Sequence, residues 1–522
     1  MDYDPPPHVA QYAQVRKPAA TGRRGMVVSQ SRDAALAGVA VLDAGGNAVD
    51  AAVATALALA AVEPWNSGLG GIGFALVHRA GAPRAEVVDF GPRAPGRIDP
   101  SMFRLTGRPN ADVFGWAGVE GDANIHGPLS FVVPSAVAGY AHMHGRFGML
   151  PLRDVIAPAI ALARRGLPQD WFTALKIAGA ASVLRLYSES ARIYLPNGLP
   201  PAPPYGGTPG AFRLGALPDT LERLAHAGLR DFYEGDVARS LVADIAAMGG
   251  VVDAEDLRGC EARIVPAQEA PWMGRTLQMA GGLTAAPTLA RVLKLMAPPQ
   301  GSAPDAAWFA ALAAAMKAAY AERLSGLGDA EPMAAESCTT HLTVCDEAGT
   351  MVAMTTTLLS TMGSRVVLPG SGVLMNNGVM WFDPRPGQPN SVAPGKRPLC
   401  NMCPIILRDG GRPVLAGGAS GGRHILASVL QMLAFTDGFG MAPEDAAHQP
   451  RIDVADADGV QADIRLPAHV LDALRAGGPV SVLEHGVVPA NFACPNLIQD
   501  RDGQRTGISD AMSPWSAAAA QA

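Results

Sequence analysis

The segment Ser337-Cys338-Thr339-Thr340-His341-Leu342-Thr343-Val344 puts a threonine at the head of an alternating, strand-forming stretch. If the chain were cut just before it, Thr339 would carry two reactive groups on one residue. Its hydroxyl is a nucleophile, and a free α-amine, with a reference pKa of roughly 7.7 to 8.0, suits a general base near neutral pH. β-Branching restricts χ1, so the hydroxyl is held with little rotamer entropy left to lose. Acyl transfer by such a group also needs donors aimed at the developing oxyanion. Gly421-Gly422 meet that need, because glycine permits a tight turn and a helical pattern begins directly after them. A purely structural left-handed turn would use the same two residues.

Three other patterns suggest chemistry that their context withdraws. Gly68-Leu69-Gly70-Gly71-Ile72-Gly73 matches GxGxxG, with Asp89 beyond it, but a dinucleotide site needs a strand before the glycines and a helix after them. Here the order is helix, glycines, strand. Cys400-Asn401-Met402-Cys403 has CxxC spacing without a second pair or a suitable histidine to complete a zinc site. His142 and His144, two apart on a helical stretch, point to diverging faces. Neither a metal nor a cofactor is expected.

The elements that must position Thr339 follow from periodicity. Residues 1–26 read as an extended arm. Residues 32–44 have helical spacing that Gly45-Gly46 stop, and Asn47 starts a second helix, rich in alanine and leucine, over 48–62. A glycine turn and a β-hairpin follow over 66–90. Residues 151–260 are mostly amphipathic helix, and an alanine-rich helix over 305–324 closes this half. From Thr339 the pattern turns to alternating strands, with Asp346-Glu347-Ala348-Gly349 as a hairpin turn. The chain therefore divides into an arm (1–26), a large segment (27–338) and a small segment (339–522).

Composition bounds the function. The 522 residues are 48% hydrophobic and 17% charged, with a net charge of −6, which excludes a disordered chain and a nucleic-acid binder. No apolar run reaches the length of a membrane span. Six cysteines are too few and too scattered for a disulfide framework. Three consecutive prolines and scattered charge near the N-terminus replace the apolar core of a secretory signal, so a cytoplasmic location is expected.

Several motifs, in order, resemble the γ-glutamyltransferase family of N-terminal-nucleophile hydrolases. They are GGNAVDAA (45–52), NSGLGGIGF (66–74), VPSAVAG (133–139), DFYEG (231–235), TTHLTV (339–344), GVLMNN (372–377), PGKRPL (394–399) and GGASGGRHI (417–425). The resemblance implies an α+β fold, a four-layer αββα sandwich built jointly by the large and small segments. It implies self-cleavage between Cys338 and Thr339, after which the two fragments stay paired and Thr339 opens a small-molecule amide. Thr357, eighteen residues on, matches the family threonine that hydrogen-bonds the nucleophile, and Gly421 and Gly422 match its oxyanion glycines. Divergent members similar to this chain include oxamate amidohydrolase and cephalosporin-type acylases.

The residues that hold a γ-glutamyl group in that family are all changed. Its arginine is Gly91, with Arg93 two residues later; its asparagine is Leu359; its glutamine and aspartate are Gly378 and Trp381; its paired serines are Cys400 and Asn401. A retained reaction on a different acyl group is the reading this division supports, with Arg93, Arg365 and Asn401 available to a carboxylate or amide and Leu359, Met380 and Trp381 adding apolar surface. A genuine γ-glutamyl enzyme that recruits Arg93, and an unprocessed scaffold, are the alternatives. Only about ten residues separate Asp329 from Thr339, fewer than family members typically have.

Overall fold

The computed structural model describes residues 16–109, 116–327, 337–454, 459–484 and 492–522. Two seven-stranded sheets stack face to face, with helices on both outer faces. The first sheet runs, in spatial order, Ala517–Ala520, Met26–Ser29, Ser337–Cys345, Met351–Ser360, Ile72–His78, Glu86–Phe90 and Arg263–Pro266. The second runs Ala20–Gly22, Gln504–Ser509, Cys494–Arg501, Arg412–Ser420, Ile405–Asp409, Arg275–Met279 and Gln268–Trp272. This is the αββα sandwich that the resemblance implies. Both sheets mix strands from before and after Thr339, so one folded body holds both segments.

Strand alternation sorts the core into its layers. Leu342, Val344, Val352 and Met354 pack outward against the helices Arg32–Asp43 and Ala48–Val62. Cys345, Met351 and Ala353, from the same strands, meet Ile406, Ala416 and Ile498 of the second sheet. The far side of that sheet packs against Ala286–Leu295, Ala306–Leu327 and Ile425–Leu433. The helix Ala48–Val62 is buried along its whole length, and Asn47 caps it with a reciprocal box, accepting from the Val49 and Asp50 N–H groups while Asp50 accepts from Asn47. Nothing in the periodicity of the arm announces a strand, yet Ala20–Gly22 pairs with Gln504–Ser509 and Met26 opens a buried strand. Three residues are too short to carry a period. Residues 1–15 of the arm, and the linker over 328–336, lie outside the described residues. Among the described residues, no helix is long and apolar enough to cross a membrane.

His341 ties the two sheets together. It is fully buried; its Nδ1 lies 2.8 Å from Thr355 Oγ1 and its Nε2 3.2 Å from Thr343 Oγ1. Asn496 of the second sheet donates to the His341 carbonyl at 2.6 Å and accepts from the Thr343 hydroxyl at 2.7 Å. Burial holds the imidazole neutral, pushing its pKa down to about 3. Gly418 of the second sheet lies against this ring, so a Cβ there would overlap it. Gly418→Ala should therefore force the sheets apart, cost about 1–3 kcal/mol and lower the midpoint of a thermal melt followed by circular dichroism; an unchanged midpoint would contradict this packing.

Candidate active site

Thr339 sits where the ladder between the two central strands breaks step. Pairing is regular from Cys345 opposite Met351 to Thr340 opposite Thr356, then shifts before Cys338 opposite Leu359. An irregularity of this kind re-aims a side chain. Thr339 Oγ1 donates to Thr357 Oγ1 at 3.2 Å, and both residues are buried. The Leu359 N–H donates to the same Thr357 oxygen at 2.8 Å, which fixes the oxygen that accepts from Thr339. That bond needs a tight bend, and Leu359 makes it at φ +88°. Met362 and Arg365 are also left-handed, at φ +61° and +64°. Such geometry in a residue with a Cβ costs about 1–2 kcal/mol each and persists only where the surroundings impose it.

The glycine pair lies next to this strand. Gly421 and Gly422 have φ of +133° and +57°, and the Gly422–His424 turn packs against the strand that carries Thr339. A Cβ on Gly421 would lie 2.7 Å from Ala493 Cα, so the position has neither the conformation nor the space for a side chain. The helix Ile425–Leu433 starts immediately afterwards.

The family model for gamma-glutamyltranspeptidase matches residues 34–338 and 332–520. The chain belongs to the gamma-glutamyltranspeptidase family. Its relatives include the acylase ACY 1 proenzyme of Pseudomonas sp. (strain SE83), 31% identical over 91% of this chain and 90% of that protein. The glutathione hydrolase proenzyme of Bacillus subtilis (strain 168) is 29% identical, over 91% of this chain and 87% of its own length. Among solved structures, cephalosporin acylase from Bacillus halodurans shares the fold, with a TM-score of 0.83, 24% identity and 99% of both chains covered.

The six positions that the sequence resemblance assigns to a glutamyl group, and Arg93, fall into two places. Leu359, Trp381 and Cys400 are buried together in the layer between the sheets, with Met380. Gly378 is buried beside them, where a Cβ would collide with Val132. The Cys400 carbonyl accepts from Arg323 at 2.7 Å, and Asn401 is half-buried. Arg365, a candidate for carboxylate binding, is turned inward: it donates to Ser360 Oγ at 2.7 Å and the Gly363 carbonyl at 2.6 Å. Gly91 and Arg93 instead line a charged cleft of about 650 Å³ with Asp89, Arg97, Asp256, Arg263 and Arg397. Asp89 accepts from Arg263 at 2.7 Å and from Arg397 at 2.8 Å, and Arg397 lies 2.6 Å from where a Gly91 Cβ would stand. An arginine at 91 and the present seat of Arg397 are mutually exclusive. Thr357 pairs with Ile72, and Gly73 with Phe90, so Gly91 lies three strands from Thr339, on the order of 14 Å. Thr339 itself does not line the cleft.

Glu63 is the site-adjacent residue that pattern reading passed over, because it looks like the polar end of an apolar helix. The fold buries it under Thr340, whose hydroxyl donates to Glu63 Oε2, while Asn66 Nδ2 donates to Oε1 at 2.7 Å. Desolvation outweighs those bonds and raises its pKa to about 7. Below the ordinary carboxylate range both folded and unfolded chains hold the proton. Between there and 7 only the unfolded chain ionises freely, so this contribution to stability falls as pH rises and is fully lost above 7. Relative to the parent, Glu63→Gln should thus gain on the order of 2–3 kcal/mol between pH 5 and pH 8, read as the difference between denaturant melts at the two pH values. A difference independent of pH would contradict it.

Proposed function

We infer that the chain is the precursor of an N-terminal-threonine amidohydrolase that cuts itself between Cys338 and Thr339 and then hydrolyses an amide whose acyl group is not γ-glutamyl. The reading rests on the Thr339–Thr357 hydroxyl pair at 3.2 Å, set in the register break beside two positive-φ glycines. In the first reaction Thr339 Oγ attacks the Cys338 carbonyl carbon. The hydroxyl proton passes to the peptide nitrogen, the C–N bond breaks, and an ester joins Cys338 to Thr339 Oγ. Water then cleaves the ester, leaving a carboxylate on Cys338 and a free amine and hydroxyl on Thr339. In the second reaction that amine takes the hydroxyl proton as Thr339 attacks the substrate amide, then returns it to the leaving amine; water releases the acyl group. The N–H groups of Gly421 and Gly422 hold the oxyanion in both. Segments 1–338 and 339–522 stay paired because they share both sheets.

The changed acyl group is supported by all six altered positions. A hydrogen bond to a charged group contributes about 1.5–3 kcal/mol, so losing several weakens glutamyl binding by orders of magnitude. Relatives named acylase and relatives named glutathione hydrolase match the chain comparably well. Leu359 and Trp381 offer an apolar wall to the acyl body, and Arg93 offers a cation to a carboxylate farther out.

Two outcomes are expected. Thr339→Ala should stay a single chain without amidase activity, whereas the parent should give two fragments whose masses meet at Cys338–Thr339; normal cleavage of the alanine variant would remove Thr339 as nucleophile. On processed enzyme, a γ-glutamyl anilide should be turned over poorly beside oxamate, short dicarboxylic monoamides and apolar acyl amides. A γ-glutamyl kcat/KM of about 10⁴ M⁻¹s⁻¹ or more, the ordinary enzyme range, would restore a γ-glutamyl enzyme anchored by Arg93.

A further inference from the structure

A chain of buried and half-buried polar side chains runs from one side of the Thr339 site to the other. Thr340, the residue after the nucleophile, donates its hydroxyl to Glu63. Asn66 Nδ2 reaches Glu63 Oε1 at 2.7 Å and Gln30 Oε1 at 3.4 Å. Gln30 Nε2 in turn donates to the hydroxyl of Ser420, the residue before Gly421. Glu63, Gln30, Thr340 and Ser420 are all buried. The same loop also grips the second central strand, since the Asn66 carbonyl accepts from the Leu358 N–H at 2.9 Å, next to Thr357.

We propose that Glu63, Asn66 and Gln30 are positioning residues for self-cleavage, a relay that aligns the Cys338–Thr339 peptide with the Gly421–Gly422 turn and tightens when Glu63 is ionised. This rests on Thr339 as nucleophile. Thr340 points toward the helix layer and Thr339 toward the space between the sheets, so Glu63 does not act on the Thr339 hydroxyl directly. It fixes the backbone that follows the scissile bond. Ionised, its carboxylate accepts from both Thr340 and Asn66, and such charge-assisted bonds are the stronger ones. Protonation removes that charge as pH falls through about 7, where burial has brought the pKa. The other titratable groups facing Glu63 are Lys176 from the helix Trp171–Leu184, stacked 5.4 Å over Phe172, and Cys494 at the start of Cys494–Arg501, a thiol that burial holds neutral. The thiol does not titrate in step with Glu63, because burial raises its pKa well above its ordinary value.

The test follows conversion of freshly translated full-length chain into its two fragments across the pH range centred near 7 where Glu63 titrates. The parent rate should rise about tenfold through that range, and Glu63→Gln, which can keep both hydrogen bonds without a titrating charge, should flatten the profile. Gln30→Ala should slow cleavage about tenfold at high pH, and the double variant should be no slower than Gln30→Ala alone, because the Glu63 charge acts only through the link that Gln30→Ala breaks. If Gln30→Ala melts like an unfolded chain, Ser420→Ala reads the same link from the other end. A Glu63→Gln profile that tracks the parent, or single effects that multiply in the double variant, would overturn the relay. Thr339→Ala is run alongside: its cleavage would overturn the nucleophile, whereas an inert Thr339→Ala beside unaltered relay variants overturns the relay alone.

Discussion

The two central strands of the first sheet carry a row of polar side chains into a place with no water, and each must find a partner there. Thr339, Thr340, His341, Thr343, Thr355, Thr356 and Thr357 are all buried. An unpaired buried hydroxyl or imidazole costs a few kcal/mol, so the surrounding elements are constrained to supply donors and acceptors. Asn496 comes from the opposite sheet to meet Thr343 and the His341 carbonyl, Glu63 from the helix layer to meet Thr340, and Tyr140 to meet Thr356 at 3.2 Å. Thr339 and Thr357 meet each other. The arrangement of both sheets and of the helix Ala48–Val62 is bound up with these pairings.

Strand parity then divides the roles. Odd-numbered residues from Thr339 to Cys345 face the second sheet, where the glycine turn waits, and even-numbered residues face the helices. Burial acts on His341 of this row and on Glu63 beside it in the same sense, favouring the neutral form, but with different consequences. His341 is driven so far down that it is a fixed, uncharged strut. Glu63 is brought up only as far as neutrality, because its hydrogen bonds to Thr340 and Asn66 and the charge of Lys176 oppose its desolvation. A group poised there can change charge under ordinary conditions.

Thr339 is covered in the folded chain. Ser337 and Cys338 continue the strand and pair with Ser360 and Leu359, while Leu359 and Trp381 close the space between the sheets. The charged cleft with Arg93 and Arg397 lies several strands away toward the edge of the sheet. In that cleft Arg397 fills the room above Gly91, and the charges of Arg397 and Arg263 converge on Asp89.

Local patterning by itself determined the helices over 32–43 and 48–62, the hairpin around 346–349 and the change of character at Thr339, because apolar period and glycine punctuation are properties of adjacent residues. The motifs likewise placed the chain in its family, and Gly421 and Gly422 have the positive φ that a tight glycine turn uses. Other features could come only from the tertiary structure. The strand Ala20–Gly22 exists because Gln504–Ser509 offers it an edge far along the chain. Arg365, read as free to bind a carboxylate, is consumed by the bend it stabilises. Glu63 gains its shifted pKa, and its link through Asn66 and Gln30 to Ser420, from desolvation and from partners hundreds of residues distant. Those are properties of burial and long-range contact, which no window of neighbouring residues contains.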